Sequence, residues 1–288
     1  MKKILFYAAF FSLLITLPAG NAFAESETPA EKAIQSVKDT VGALIDAKDK
    51  NAPGESDARL ATYEKILDLA LADAKELKVK LLSFDEGKDK PTTTEVLWKK
   101  SRIEALSAAI TYYEEEREAV LLLESPSMEE VKARAETLKD WRDKTYLPLA
   151  EEVQAFLLIE VQKKSLDTSK KRLEKVSADV AKLKKAKFKE IKVVEEKYKH
   201  AETLIADAEK INDAAEHKFR KYHLLPFMDK ASAEKKALEK ELKDEAEARK
   251  GAADNTPSIK ELVDGSFAKV KEAYQAFIEM SDLVRKSL

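Results

Sequence analysis

The sequence predicts an all-α protein, an elongated helical bundle with long coiled-coil helices. Residues that break helices are scarce: the chain of 288 residues has 6 glycines and 8 prolines, and no glycine lies between Lys88 and Lys250. Charged residues make up 37% of the chain, a share typical of long helices rich in Ala, Glu, Lys and Leu. Apolar residues recur at alternating steps of three and four, the spacing of a seam that packs on a partner helix.

The first 24 residues, 1–24, have the features of a secretory signal peptide. Two lysines precede an apolar run over residues 4–17, and the small-residue sequence Ala22-Phe23-Ala24 follows. The alternative is an uncleaved anchor, but an apolar run of about 14 residues is short for a bilayer span of about 20. We therefore expect cleavage after Ala24 and an exported bacterial protein, periplasmic or extracellular.

The remaining residues, 25–288, are expected to form a single elongated all-α region, with 25–125 and 126–288 as candidate sub-bundles. Without the two signal-peptide lysines the chain has 50 basic and 54 acidic side chains, a net charge of −4. This balance favours a soluble, ion-paired surface and argues against nucleic-acid binding. The chain has no cysteine, which excludes disulfides, thiolate metal sites and cysteine catalysis.

Turn chemistry divides this region into helices. Polar loops with Pro or Gly occur at 49–56, 85–95 and 251–261, and three capping boxes mark helix starts. The boxes pair Thr92 with Glu95, Ser127 with Glu130, and Ser258 with Glu261. We predict helices near residues 30–48, 57–83, 94–124, 128–147, 227–250 and 258–286, together with a long helical region, 149–225.

Three apolar seams identify the helix faces that need partners. They are formed by Leu60, Tyr63, Leu67, Ala70, Ala74, Leu77 and Leu81; by Ile103, Leu106, Ile110, Tyr113 and Val120; and by Val263, Phe267, Val270, Tyr274, Phe277 and Val284. The pattern leaves open whether the seams close within one chain or between chains, so a protein partner or self-association through them is expected. The short apolar runs 119–123 and 155–159 are assigned to buried helix turns.

The region 149–225 would extend about 115 Å as one helix. Its apolar phase slips between Leu183 and Ile191, which marks either a change of supercoiling or a point where the helix folds back. Because no Gly, Pro or Asn occurs there, we expect one continuous helix. The stretch 167–169, Asp-Thr-Ser, is the other candidate break.

Charge is distributed unevenly along the chain. Residues 163–199 have a net charge of +8 and residues 101–162 a net charge of −7, so the two segments are expected to lie side by side and neutralise each other. Alternatively, the segment 182–192 is an interaction patch for an anionic envelope surface. Its lysines are Lys182, Lys184, Lys185, Lys187, Lys189 and Lys192. On one helix they would fall on several sides, which is a weak pattern for a membrane-surface helix.

A short motif occurs twice, as 141-WRDKTYLPL-149 and 219-FRKYHLLPF-227. Proline inside a helix removes a hydrogen bond and clashes with the preceding turn, so Pro148 and Pro226 each predict a corner, a kink or a helix start. An internal duplication is an alternative explanation. A functional alternative is an interface at the corners, with aromatic and arginine candidates. These candidates are Trp141, Arg142, Tyr146, Phe219, Arg220 and Phe227.

The sequence offers little for catalysis or metal binding. Three histidines, His200, His217 and His223, lack the spacing of metal ligands, and Glu196 with His200 gives a single pair at most. The acidic run 114–116 spreads around a helix and indicates a solvated face. Phosphate-binding loops and nucleophile elbows are absent from the sequence. We predict no catalytic residue, no cofactor and no metal site, and hence no enzyme.

These features predict a non-catalytic exported protein that acts as a structural scaffold or protein-interaction module, without a transmembrane segment after signal cleavage. The alternatives are a holdase-type chaperone or carrier for an apolar client, which needs an exposed apolar patch, and a binder of an anionic envelope surface. The general style of the chain is similar to periplasmic coiled-coil chaperones and to extracytoplasmic adaptor or filament components. This similarity is one of architecture and implies no residue roles.

Overall fold

The computed structural model describes residues 29–49, 55–84, 92–123, 127–248 and 256–287, and this part of the chain is all-helical, without a strand. The α-helices are α1 (Pro29–Asp49), α2 (Glu55–Ser83), α3 (Thr93–Leu121), α4 (Met128–Trp141), α5 (Leu147–Lys185), α6 (Ile191–Phe219), α7 (Ala233–Ala248) and α8 (Ile259–Ser287). Two π turns, Arg142–Tyr146 and Arg220–Leu224, and a 3-10 turn, Leu225–Phe227, complete the order. The predicted signal peptide and parts of the predicted loops lie outside the described residues.

All three predicted capping boxes are present at helix starts. At α3 and α4 the cap hydroxyl accepts the N3 backbone N–H while the N3 carboxylate accepts the cap N–H, at 2.7 Å for Thr92 and 2.8 Å for Ser127. At α8 the backbone N–H of Ser258 donates to Glu261 at 2.6 Å, and Ser258 accepts in return. Such caps each stabilise a helix by about 1 kcal/mol, so they fix these three starts locally.

The repeated motif coincides with the two π turns. In each copy the backbone N–H of the Leu before the proline bonds to the carbonyl of the Arg five residues earlier: Leu147 to Arg142, and Leu225 to Arg220. A π turn inserts one residue into the helix, which moves the carbonyl that the proline ring would otherwise meet. The motif is therefore a way of placing a proline in a helical chain.

The two copies continue differently. Pro148 lies in the first turn of α5, as the helix-start alternative predicts, and the backbone is helical from Met128 to Lys185 with one π turn. After Pro226 a 3-10 turn ends the helix and Met228 is extended, with φ −74° and ψ 147°. This second corner is confirmed.

The region 149–225 is two helices, not one. Helix α5 ends at Lys185 and α6 begins at Ile191, so the expectation of a continuous helix is wrong. The two helices are antiparallel: Lys163 pairs with Glu216 at 2.8 Å, and Lys184 pairs with Glu195 at 2.7 Å. The candidate break at 167–169 is also wrong, because the hydroxyl of buried Ser169 donates to the carbonyl of Ser165 and α5 runs on.

A large core joins α2, α3 and α4 to the first half of α5, the end of α6, α7 and the start of α8. Buried members of this core include Leu67, Leu81, Trp98, Leu106, Tyr113, Tyr146, Val153 and Phe156. The first two seams lie in it: their members are buried or packed against it. These seams close within the chain, so they offer no free surface for self-association.

A second core joins the far half of α5 to α6 and α8. Its buried members are Val180, Val194, Ala201, Leu204, Ile205, Ala273, Ala276, Phe277 and Met280. Helix α8 lies antiparallel to α6, as the Ser266 hydroxyl donates to the carbonyl of Ala208 at 2.6 Å and Lys218 donates to the carbonyl of Pro257 at 2.6 Å. The third seam also closes within the chain: Val263 and Phe267 lie in the first core, Val270 packs with Leu166 and Ala208, and Tyr274, Phe277 and Val284 lie in the second core. Helix α5, 39 residues and about 58 Å long, contributes to both cores.

Candidate functional site

The turn between α5 and α6 is built without glycine. Phe188 donates its backbone N–H to the carbonyl of Leu183 at 3.0 Å, and Lys187 donates to Lys184 at 3.1 Å. This pair of bonds is a Schellman motif, whose C′ residue adopts the left-handed conformation and is usually glycine. Here Lys187 takes it, with φ 56°. The turn also places Phe188 against the second core, which stabilises the reversal.

The reversal collects the lysines of the segment 182–192 at one end of the molecule. All six candidate lysines are exposed. Lys182 pairs with Asp179 at 2.9 Å and Lys184 pairs with Glu195, with the lysine side chains 77% and 67% exposed. Within the described ranges the other four, Lys185, Lys187, Lys189 and Lys192, form no ion pair.

The last turn of α8 adds two cations to the same end. Lys197 of α6 pairs with Glu279 of α8, and Phe188, Ile191 and Val284 each pack against the second core. Continued about two turns beyond Glu279, this antiparallel register brings exposed Arg285 and Lys286 level with the hairpin turn. We call the eight residues Lys182, Lys184, Lys185, Lys187, Lys189, Lys192, Arg285 and Lys286 the basic tip.

The predicted pairing of segment 163–199 with segment 101–162 does not describe the packing. The lysines of the basic segment form their interhelix ion pairs with α6 and α8, as in Lys170 with Glu209 and Lys197 with Glu279. Carboxylates of the acidic segment pair instead with α2 and α4, as in Glu114 with Lys75. Because the acidic segment does not pack on the basic segment, its carboxylates do not neutralise the positive charge of the basic tip.

The first π turn is mainly core. Tyr146 is 0% exposed and its phenol donates to Asp73 at 2.6 Å. Trp141 is half-buried and stacked on Tyr112, with ring centroids 3.9 Å apart. These two rings and Asp140 line a shallow open depression. Of the interface candidates here, including half-buried Arg142, only Trp141 reaches such a surface in the described structure.

The second π turn is core as well. Phe219 is 3% exposed and packs edge-on against Trp98. Arg220 is held by ion pairs to Glu234 and Glu216. Phe227 lies half-buried beneath the Arg102 guanidinium, 5.7 Å from the ring centroid. The aromatic and arginine candidates at this corner thus stabilise the fold and do not form an exposed recognition surface.

Glu152 organises a polar network between the two π turns. It accepts from the Trp98 indole and, at 3.1 Å, from Arg102, while His223 lies 3.7 Å away. Burial disfavours the charged carboxylate, but the hydrogen bonds from His223 and Trp98 and the charge of Arg102 outweigh it and lower the pKa of Glu152. This arrangement joins α3, α5 and the second π turn.

Lys221 in the second π turn is a buried cation, 5% exposed. It donates to Glu241 at 2.8 Å and to Glu245, both on α7. Burial lowers its pKa, but the hydrogen bonds and charges of the two glutamates outweigh this and raise the pKa of Lys221. The network attaches α7 to the rest of the chain.

The histidines do not assemble a metal centre in the described part of the chain, where no group of three or more His, Cys, Asp or Glu side chains converges. His200 and His217 are exposed, and His217 bonds to Glu241 at 3.0 Å. The acidic run 114–116 is engaged by neighbours: Glu114 pairs with Lys75, and Glu116 pairs with Arg134 at 3.1 Å.

Exposed apolar side chains occur where α3 ends and where α4 begins. Leu121 is 61% exposed, Leu122 is 82% exposed, and Met128 at the start of α4 is 36% exposed. The assignment of residues 119–123 to a buried turn is therefore wrong for these two leucines, although Val120 is buried. The same assignment is confirmed for residues 155–159, where Phe156 and Ile159 are buried.

Sequence reasoning missed Arg285, Lys286 and the Glu152 network. The register of α8 against the hairpin is a tertiary property, and the only sequence signal was two cations in a last helical turn.

No helix in the described ranges is long and apolar enough to cross a bilayer. Comparison with known proteins gives no significant match to a family model, a curated protein or a solved structure.

Proposed function

We propose that this protein is a non-catalytic exported interaction module of the bacterial periplasm or cell exterior, and that it binds an anionic partner through its basic tip. An elongated shape with long coiled-coil helices is part of the proposal. The observation that carries it is the gathering of eight cations from two separate segments at one end of a helical hairpin. The N-terminal sequence supports export.

The arrangement of the cores supports a scaffold role. The second core binds α5, α6 and α8 over the length of the hairpin, while α5 continues into the first core. Because α5 runs without a break through both cores, no flexible linker separates them, and the helix fixes one core relative to the other. The basic tip is therefore presented on a packed support.

The proposal of a non-catalytic role follows from how the polar side chains are used. The partly buried carboxylate Glu152 and the buried cation Lys221 are engaged by protein partners on neighbouring elements. Such pairing is what a structural network requires. At the basic tip, in contrast, the exposed lysines Lys185, Lys187, Lys189 and Lys192 form no ion pair within the described residues and surround no convergent pocket.

A holdase-type chaperone or carrier remains the second candidate, favoured by the exposed leucines at the end of α3. Leu121 and Leu122 could meet an apolar client. Suppression of the aggregation of an unfolded test protein measures this activity. A Leu121→Gln/Leu122→Gln variant should lose the suppression if these side chains bind the client, and unchanged suppression removes this candidate site.

The proposed function is tested with soluble polyphosphate as the anionic probe and residues 25–288 as the expected mature chain. The tip variant replaces Lys185, Lys187, Lys189 and Lys192 with Gln. The control replaces four exposed lysines on and before α7 with Gln, and so changes the net charge equally. The control lysines are Lys230, Lys236, Lys240 and Lys243.

We expect the unmodified protein to bind polyphosphate and the tip variant to bind at least about tenfold more weakly. Each lysine near an anionic partner contributes about 1 kcal/mol to the free energy of binding. The control should stay within about twofold, and affinity should fall with salt. Absence of binding by the unmodified protein, or equal losses in both variants, contradicts the proposed function.

A further inference from the structure

The basic tip has the geometry of a blunt end. Lys182, Lys184 and Lys185 lie at the end of α5, Lys187 and Lys189 lie in the turn, and Lys192 lies in the first turn of α6. On a continuous helix these side chains would point in several directions along its length. The reversal at residues 186–190 ends that arrangement and places all six residues at one end of the hairpin.

The third helix widens this end. Arg285 and Lys286 come from the last turn of α8, which packs beside the hairpin through Leu283 and Val284. Packed helices lie about 8–10 Å apart, so three helix ends cover a patch about two helix diameters across. The patch has cations from all three helices.

The acidic side chains near the tip are few and partly engaged. Asp179 pairs with Lys182, and Glu195 pairs with Lys184. Glu190 lies in the turn itself, Asp282 lies one turn before Lys286, and Glu196 lies one turn after Lys192. Eight cations therefore face five carboxylates, two of which sit below the tip in ion pairs, and the outermost surface is positive.

A blunt convex patch suits a flat anionic surface better than an extended strand. A strand of polymer would need a groove lined by cations, whereas the basic tip presents its side chains on the ends of three helices. Long lysine side chains can all reach a plane at once, because their charged ends extend from the hairpin. Phe188 packs inward with the second core, so contact depends on charge and not on deep apolar insertion.

We infer that the basic tip docks end-on onto the phosphate headgroups of an anionic phospholipid membrane, with Arg285 and Lys286 of α8 contributing beside the hairpin lysines. The inference rests on the proposed function, since it names the anionic partner of the same tip. Juxtaposed lysines and arginines bind anionic lipid surfaces by summed attraction that decays within a Debye length. The contact therefore needs neither a pocket nor a membrane-spanning helix.

Vesicle co-sedimentation tests the inference on residues 25–288. The vesicles contain phosphatidylcholine alone or phosphatidylcholine with about 30 mol% phosphatidylglycerol, in salt from about 0.05 M to about 0.5 M. Four variants are compared: the tip variant, the control variant, Arg285→Gln/Lys286→Gln, and a tip variant with Arg in place of the same four lysines. Circular dichroism of each verifies that the helices are retained.

We expect binding to the phosphatidylglycerol vesicles only, lost at high salt. The Lys-to-Gln tip variant should bind at least about tenfold more weakly and Arg285→Gln/Lys286→Gln at least about threefold more weakly. The Arg-substituted tip and the control should stay within about twofold. Equal binding to both vesicle types, or unchanged binding in the Arg285→Gln/Lys286→Gln variant, overturns the inference.

The polyphosphate experiment separates the two proposals. A protein that binds polyphosphate through the tip but ignores phosphatidylglycerol vesicles retains the proposed function and loses this inference, which indicates a soluble anionic partner. A protein that binds neither probe contradicts both. A tip variant that has unfolded is recognised by its circular dichroism, and the Arg-substituted tip then decides whether positive charge at these positions is sufficient for vesicle binding.

Discussion

The phenol of Tyr146 donates a 2.6 Å hydrogen bond to the carboxylate of Asp73 and thereby joins the first π turn to α2. Burial raises the pKa of Asp73, although this hydrogen bond and the nearby charge of Arg142 oppose the rise. A raised pKa means that the folded state binds the proton more tightly than the unfolded state. The carboxylate therefore lowers the free energy of unfolding as the pH rises through its folded pKa.

The variant Asp73→Asn should remove this cost while its amide oxygen still accepts from Tyr146. We expect a higher free energy of unfolding than that of the unmodified protein at neutral pH, and a difference that shrinks in acid, where Asp73 is protonated in both states. Urea denaturation across the acidic to neutral range measures it. If the difference in the free energy of unfolding between the variant and the unmodified protein did not change with pH, the charge of Asp73 would not be its cause.

The variant Tyr146→Phe is the companion experiment. It leaves the Asp73 carboxylate buried without its phenolic donor, and should lower the free energy of unfolding by about 1–3 kcal/mol at neutral pH. The loss should diminish in acid as the carboxylate protonates. A Tyr146→Phe variant with an unchanged free energy of unfolding would mean that the charge of Arg142 is enough to stabilise the Asp73 carboxylate without the phenol.

Local signals in the sequence predicted the helices well. The capping boxes at Thr92, Ser127 and Ser258 depend only on residues three apart, and each is present. The seams were also predicted, because apolar spacing is local. What the seams pack against was not, since the choice between an internal and an external partner depends on contacts far apart in sequence.

The π turns and the hairpin were missed for different reasons. Proline at Pro148 permits either a corner or an inserted helical residue, and the sequence does not distinguish them. The reversal at Lys187 lacks the glycine that usually marks a left-handed C′ residue. Packing of Phe188 against α6 and α8 favours the turn over a continuous helix, and that gain is not visible in the local sequence. The sequence therefore predicted the lysine segment 182–192, but it did not predict that this segment forms the end of a helical hairpin.

Replacing Lys187 in the hairpin turn with glycine should stabilise the fold. A left-handed conformation costs a residue with a side chain about 1–2 kcal/mol, whereas glycine adopts it freely. We expect Lys187→Gly to raise the free energy of unfolding by about 1 kcal/mol, measured by urea denaturation. Lys189→Gly in the same turn is the control and should not stabilise. A loss of stability in Lys187→Gly would contradict the assigned turn geometry.

Glu152 should make the fold sensitive to acid in the opposite sense to Asp73. Its lowered pKa stabilises the folded state above the ordinary pKa of a glutamate, and that stability is lost as the pH falls through the folded pKa. Glu152→Gln should lower the free energy of unfolding by about 2–3 kcal/mol at neutral pH, with a smaller effect in acid. Glu151→Gln, on the exposed neighbouring position, is the matched control. If both variants changed the free energy of unfolding equally, the hydrogen bonds of Glu152 would not stabilise the fold.

The proposed elongated shape makes a prediction for scattering in solution. A compact monomer of 264 residues has a radius of gyration of about 18 Å, while α5 alone is about 58 Å long. Because α5 contributes to two cores along its length, we expect X-ray scattering of residues 25–288 to give a clearly larger radius. Since the three seams are buried within the chain, in-line light scattering should give the mass of one chain. A radius near 18 Å would remove the elongated scaffold, and a mass of two chains would show that a surface other than the seams mediates self-association.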